Sequence, residues 1–211
     1  MEASTPTPPP PTEPPPPEPP APSTEYPARL NAVRQDEYNR FLPLVKWLLA
    51  FPHYVVLVVL AIGMVFAGLA GLIMVLFTAR YPRGLWDYVT GVHRWAARVG
   101  AYILLLTDRY PPFALADDPE YPVRVEYDYP EHMERWRIFQ FILVIPAAFI
   151  AGLLGYVSAA VAFIGIFVIL FTGKLPEGMF KLILNPMRWQ LRSNAYGHTL
   201  VNRYPPFEWD E

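Results

Sequence analysis

The sequence predicts an all-α membrane protein built from two tandem repeats, and three observations carry this prediction. Hydrophobic residues make up 53% of the 211-residue chain, a composition typical of membrane proteins. Two apolar runs, 41–78 and 138–172, contain only one lysine, arginine or carboxylate residue between them, Lys46. The segment LFTARYPRGL closes the first run and LFTGKLPEGM closes the second, which indicates a duplicated unit.

Composition also limits the chemistry. The chain has no cysteine, so disulfides, cysteine-bound zinc and thiol catalysis are excluded. The four histidines are isolated in sequence and form no metal-binding spacing. There is no phosphate-binding glycine loop and no nucleophile elbow. We therefore expect no catalytic residue, no metal and no cofactor, and no nucleic acid as a partner.

The N-terminal tail, residues 1–24, is rich in proline. Twelve prolines occur by Pro22, with no large apolar residue after Met1. Such a segment cannot bury a core, so we expect it to be disordered and largely polyproline II. It lacks the basic start and apolar stretch of a signal peptide. A solvated spacer is the simpler interpretation, and a docking strip for a protein partner with an aromatic groove is the alternative.

The repeat boundaries follow from recurring letters. EYPAR at Glu25 corresponds to EYPVR at Glu120, and RYPPF at Arg109 recurs unchanged at Arg203. Over most of this length the two copies are offset by a constant 94 residues. The sequence thus predicts repeat 1 at 25–115, a linker at 116–119 and repeat 2 at 120–209.

Each repeat opens with a short extended lead-in before its apolar run. Val123 to Tyr127 alternates in character, as a strand does, and Ala28 to Arg34 alternates less well. The runs that follow are 38 and 35 residues long. A straight helix of that length measures roughly 50–57 Å, against a hydrocarbon core of ~30 Å. A proline near the start of each run, Pro52 or Pro146, predicts a kink or a break.

Two arrangements fit runs of this length. Each run is either a transmembrane helical hairpin, or an interfacial helix followed by one long kinked span. Both repeats carry positive charge at corresponding places, which favours the same orientation for both and hence an even number of crossings. The hairpin is therefore predicted, with four membrane segments in all and both termini cytoplasmic.

The stretch after each run predicts an amphipathic helix lying at the membrane interface. In repeat 1, apolar residues recur every three or four positions from Leu85 to Leu106, while Arg94 and Arg98 fall on another side. Consecutive prolines in each RYPPF segment end the helix, because proline cannot continue it.

These segments together resemble a family of uncharacterised bacterial integral membrane proteins that is known only as a domain of unknown function. The resemblance rests on LFTARYPRGLWDYVTGVHRWAARVGAYILLLTDRYPPFAL and covers residues 25–209 as two copies. Repeat 2 departs from it at 174–177 and at Asn202, where repeat 1 has Asp108. The resemblance implies a multi-pass protein of the bacterial cell membrane and supplies no activity.

The basic residues after the apolar runs are the best candidates for a binding site. Each pair Arg94/Arg98 and Arg188/Arg192 is one helical turn apart, and basic side chains near a membrane attract anionic headgroups. Ordinary topology-setting charge is the simpler interpretation. The lipid- or anion-binding candidates are Arg80, Arg83, Arg94, Arg98, Arg109, Lys174, Arg188, Arg192 and Arg203.

The predicted function is accordingly that of a non-enzymatic integral membrane protein that binds anionic lipid or acts as a scaffold in a membrane complex. The alternative is a transporter or channel subunit, because many carriers are built from repeats. A membrane enzyme would have only Asp87, Asp108 and the histidines to work with.

Overall fold

The computed structural model describes residues 25–207, so the predictions for the proline-rich tail lie outside the described part of the chain. Two strands and six α-helices, with one 3₁₀ helix, follow one another in order. They are β1 (Ala28–Ala32), α1 (Leu42–Leu49), α2 (Phe51–Thr78), α3 (Arg83–Ile103), β2 (Val123–Tyr127), the 3₁₀ helix (Arg135–Phe139), α4 (Gln140–Leu143), α5 (Ile145–Thr172) and α6 (Glu177–Gly197).

The two lead-ins form strands that pair with each other. β1 and β2 are antiparallel, with Leu30 opposite Val125. Both residues lie five positions after the glutamate of their own EYP motif, so they are equivalent positions of the two repeats. An antiparallel pair centred on equivalent residues implies an approximate two-fold axis through that point. The small sheet therefore marks the centre of the molecule.

The predicted hairpin is wrong, because each apolar run forms a long helix with no reversal inside it. α2 continues through Gly63 and Gly71, which serve close side-chain packing instead of a turn. Kinks do occur where the prolines predicted them, since α1 ends just before Ala50 and α2 carries Pro52 in its first turn. The helices Leu42–Thr78 and Ile145–Thr172 are each long and apolar enough to cross a membrane.

Each long helix is followed by a tight turn and by a helix that runs back along it. The turn after α2 is made by Ala79 and the turn after α5 by Gly173, both with positive φ. α3 then packs antiparallel to α2, where Tyr88 Oη donates to Leu60 O at 2.9 Å and Trp95 Nε1 donates to His53 Nδ1 at 3.0 Å. α3 is thus helical as predicted, and it packs on α2 instead of standing as a separate element.

Repeat 2 has the same arrangement. Ser158 Oγ on α5 donates to Ile183 O on α6 at 3.3 Å, and Trp189 Nε1 on α6 donates to Ala147 O on α5 at 3.3 Å. α6 therefore packs along α5 as α3 packs along α2, and it covers the buried stripe of the long helix.

The repeats exchange their strands. Arg94 Nε on α3 donates to Val125 O in β2 at 3.2 Å, and the equivalent Arg188 Nε on α6 donates to Leu30 O in β1 at 2.9 Å. α3 of repeat 1 therefore holds β2 of repeat 2, and α6 of repeat 2 holds β1 of repeat 1. This interlocking makes the two repeats one folded unit.

A second exchanged contact joins the ends of the long helices. Tyr38 N, just before α1, donates to Gly173 O after α5 at 2.9 Å, and Met133 N donates to Ala79 O after α2 at 2.9 Å. The start of each apolar helix thus lies beside the end of the other. It follows that α2 and α5 run in opposite directions.

Candidate functional site

The nine predicted basic residues divide into two groups. Five of them are exposed at turns and extended segments, and four are turned into the fold. The exposed ones are Arg80, Arg83, Arg109, Lys174 and Arg203, and the inward ones are Arg94, Arg98, Arg188 and Arg192.

The inward group holds the exchanged strand and the loop that follows RYPPF. Arg98 is 2% exposed, and its guanidinium donates to Ala114 O at 3.3 Å and to Ala116 O at 2.6 Å. Arg192 is likewise buried, with its guanidinium 5.7 Å from the centre of the Tyr26 ring. The interpretation of these residues as an open basic face is wrong, because Arg98 and Arg192 are buried and the exchanged strands partly cover Arg94 and Arg188. Sequence spacing identified the shared side but not its covering.

The turn after α2, which we call the first turn site, carries the exposed pair Arg80 and Arg83. The Arg83 guanidinium lies 4.3 Å from the centre of the Tyr129 ring and 5.5 Å from that of Trp86, while its Nε is 3.7 Å from Asp87 Oδ1. A hollow of about 250 Å³ beside Arg80 is lined by Arg80, Tyr129, Glu131 and His132. The site combines two cations with aromatic rings at the end of an apolar helix.

The turn after α5, the second turn site, has two cations and one carboxylate at the same three positions, in a different order. Lys174 is exposed there, but Glu177 stands at the position of Arg83 and pairs with Lys181 at 3.1 Å. Arg40 Nε approaches to 3.3 Å of the position that a Cβ on Gly173 would occupy. The two turns differ in that the first exposes two arginines beside aromatic rings, whereas the second has glutamate at the position of Arg83 and lysine at the position of Asp87.

Arg109 and Arg203 lie apart from the turns, on the RYPPF segments. Arg109 Nη1 donates to Glu120 O at 2.7 Å, and Arg109 O accepts from Tyr121 Oη at 2.9 Å. In the exchanged arrangement Tyr26 Oη donates to Arg203 O at 2.8 Å. These segments position the strands, and the structure does not bring their arginines together with the turn sites.

Sequence reasoning missed a buried ion pair. Lys46 Nζ lies 2.8 Å from Asp108 Oδ1 and donates to Thr107 O at 2.8 Å, with the Lys46 side chain 2% exposed. At the equivalent positions repeat 2 has Gln140 and Asn202, both uncharged, and Gln140 Nε2 donates to Val201 O at 3.2 Å. Both charges are replaced together. Aligning the two repeats would have exposed this signal.

His53 has a packing role. Its ring stacks on Phe113 at 3.9 Å between centroids, and its Nδ1 accepts from Trp95. In repeat 2 the equivalent tryptophan donates to the backbone of Ala147. The tryptophan therefore finds an acceptor in both repeats, which supports a neutral, hydrogen-bonded histidine.

A groove of about 240 Å³ separates α3 from α6. Its lining includes His93, Gly100 and Asn194. His93 Nδ1 is 3.1 Å from Tyr127 Oη, and the ring lies 5.0 Å from that of His198. Among residues 25–207, His93 Nε2 is buried without a hydrogen-bond partner. Burial, together with a smaller effect of the neighbouring His198, lowers the pKa of His93 to about 3.

The pKa of His93 predicts acid sensitivity. An unfolded chain binds a proton at histidine below a pKa of about 6.5, whereas folded His93 stays neutral to a pKa of about 3. Stability is thus complete above pH 6.5 and lost as the pH falls, by ~2 kcal/mol at pH 5. Repeat 2 has methionine at the equivalent position, 187. His93→Met should therefore reduce the pH dependence of the unfolding free energy between pH 7 and pH 5, because about one fewer proton is bound on unfolding. Denaturant titrations in detergent at several pH values measure this, and an unchanged decline would contradict it.

No group of three or more histidine, aspartate or glutamate residues that could hold a metal ion occurs within 25–207. In comparisons with known proteins, a family model described as Domain of unknown function (DUF4389) matches residues 43–114 and again residues 136–208. No curated protein and no solved structure matches the chain.

Proposed function

Because the chain belongs to the family described as Domain of unknown function (DUF4389), in two tandem copies, we propose its function from the geometry alone. The protein is a non-enzymatic membrane protein that binds anionic lipid headgroups at the turns after its two apolar helices, chiefly at the first turn site. Such a protein serves as a lipid-binding scaffold or accessory subunit in a membrane complex.

The observation that carries the proposal is the exposure of Arg80 and Arg83 at the end of α2. Headgroups lie at the boundary between the apolar and the charged surface of a membrane-bound protein, and the turn after α2 stands at that boundary, so these side chains are at the right depth. The Arg83–Asp87 pair competes weakly, because exposed ion pairs contribute only ~0–1 kcal/mol. α3 begins at Arg83, and the positive end of its dipole adds to the attraction for an anion.

The expected strength follows from the charges. Each basic residue beside an anionic leaflet contributes about 1 kcal/mol. Loss of both arginines should therefore weaken binding of an anionic lipid roughly 30-fold, since 1.4 kcal/mol corresponds to a factor of ten. At the second turn site Glu177 opposes Lys174, so loss of Lys174 should have a smaller effect.

The test is Arg80→Gln with Arg83→Gln, assayed by retention of phosphatidylglycerol in native mass spectrometry and by binding to anionic nanodiscs. Arg124→Gln is the matched control, because Arg124 is partly exposed on β2 between Asp117 and Glu126 and away from the apolar helices. We expect weakened retention in the double variant only. Equal retention in the double variant and the wild type would contradict the proposal.

A carrier or channel subunit is the second candidate. The opposite directions of α2 and α5 favour it, since inverted repeats build many transporters around a central site. The groove with His93 and Asn194 would then be the substrate path. Proteoliposomes that show no ion or solute flux above protein-free vesicles would reject this candidate.

A further inference from the structure

We propose that the protein lies within one leaflet of the bilayer, with α2 and α5 parallel to the membrane plane and the two-stranded sheet facing water. In this orientation neither apolar helix crosses the bilayer, although each is long enough to do so. This orientation rests on the proposed binding of membrane lipid and specifies how the molecule sits among the headgroups.

The symmetry leaves two simple orientations. The axis through Leu30 and Val125 exchanges the repeats, and it is perpendicular to helices that run in opposite directions. If α2 and α5 cross the bilayer, the axis lies in the membrane plane and the sheet lies at mid-depth. If they lie flat, the axis is the membrane normal and the sheet is at the surface.

The sheet carries charge, which decides against mid-depth. Arg29 donates to both carboxylate oxygens of Asp128 at 2.8 Å, and Arg124 lies 3.4 Å from Glu126. The side chains of Arg124, Glu126 and Asp128 are 40–48% exposed. Charged side chains facing hydrocarbon at mid-depth are strongly disfavoured. In the flat orientation the same side chains are in water.

The helices that contact the sheet, α3 and α6, also carry their charged residues on one side. The formal charges of α3 lie at Arg83, Asp87, Arg94 and Arg98, with spacings of four, seven and four residues. Those of α6 lie at Glu177, Lys181, Arg188 and Arg192, with the same spacings.

Such spacing places each set on one side of its helix. Arg94 and Arg188 show that this side faces the sheet, because they bind its carbonyls. On the opposite side of α3, Val89 is buried, Leu85 is partly buried and Ala96 is exposed. The middle of the molecule therefore has one charged face and one face without charge.

The long helices α2 and α5 and the segments next to them extend the uncharged surface. Most exposed large hydrophobic side chains lie between Phe41 and Phe77 or between Trp136 and Phe171, on or next to the long helices. An apolar surface of this extent marks a membrane contact. Exposed aromatic residues of the RYPPF segments, Tyr110 and Tyr204, suit the headgroup level. A single bilayer leaflet fits this surface, because the apolar face is bordered by aromatic side chains and the opposite face is charged.

Two equivalent glycines provide the test. Gly84 and Gly178 follow the two turns, and a Cβ at either position meets nothing within 4 Å. The full sequence contains no cysteine, so the variants Gly84→Cys and Gly178→Cys each carry a single thiol. A membrane-impermeant maleimide is applied to spheroplasts and to everted vesicles from the same cells. Asn31→Cys, exposed on β1, reports the sheet, and detergent-solubilised samples give full labelling.

The flat orientation predicts that all three thiols react in the same one of the two preparations. If Gly84→Cys reacts in one preparation and Gly178→Cys in the other, the helices cross the bilayer and the proposal is overturned. Failure of Asn31→Cys to react before detergent, in either preparation, also overturns it, because the sheet would then lie in lipid.

The lipid-retention assay separates this proposal from the proposed function. Same-side labelling with unchanged retention in the Arg80/Arg83 variant supports the orientation and rejects the headgroup site. Opposite-side labelling with lost retention rejects the orientation alone.

Discussion

Replacing Lys46 with glutamine is expected to destabilise the protein more than any other single substitution considered. Asp108 would remain as a carboxylate that is only 15% exposed and has lost its ammonium partner. Breaking a buried ion pair by removing one partner costs about 3–5 kcal/mol. For a chain of this size that lowers Tm by roughly 10 °C. Thermal unfolding in detergent, followed by size-exclusion chromatography, measures the change.

The double variant Lys46→Gln with Asp108→Asn should recover most of this loss. It reproduces the uncharged pair that repeat 2 already has, Gln140 and Asn202. The glutamine can donate to Thr107 O as Gln140 donates to Val201 O, and no unpaired charge is left. Additive losses in the double variant would show that the two residues act independently and would contradict the ion-pair argument.

Gly71→Ala is expected to have the second largest effect. The added Cβ would meet the ring of Tyr81, which is fully buried between α2 and the turn. Overpacking a filled core costs ~1–3 kcal/mol, and the Tyr81 side chain is enclosed, since it is 0% exposed. A lower Tm and a shift toward aggregate in size-exclusion chromatography are the expected results. Gly152→Ala is the matched control, because nothing lies within 4 Å of a Cβ there.

Repeat 2 also suggests a rescue. It has Leu175 at the position of Tyr81, and a Cβ on its equivalent glycine, Gly165, would lie 3.3 Å from the tip of Leu175. Tyr81→Leu in the Gly71→Ala background should therefore restore part of the lost stability. If Gly71→Ala is as stable as Gly152→Ala, the close packing of Tyr81 against α2 is wrong.

The repeat architecture was predictable from the sequence because it depends on local sequence features. The duplication appears as repeated letters, such as the two RYPPF segments, and the apolar helices appear as long runs without charge. β2 was predictable from alternation between Val123 and Tyr127. The kinks were predictable because Pro52 and Pro146 cannot continue the hydrogen bonding of the preceding turn. The family match to both repeats agrees with this level of description.

The candidate site was only partly predictable. Arg80 and Arg83 were identified as basic residues at a turn, where they are indeed exposed. Arg94 and Arg98 were assigned to the same surface, yet the strand of the other repeat and the loop at Ala114 cover them. Burial by a segment distant in the chain leaves no periodic signal in the helix that is buried.

By itself, then, the sequence determined two copies of a unit, the extent of the apolar runs, the strand at Val123 to Tyr127 and the placing of positive charge beside apolar segments. These properties depend on neighbouring residues and on helical or strand periodicity. Only the tertiary structure decided that each apolar run is one helix, that the repeats exchange strands and that α2 opposes α5. Those outcomes depend on contacts such as Tyr38 with Gly173, whose energy comes from residues more than a hundred positions apart.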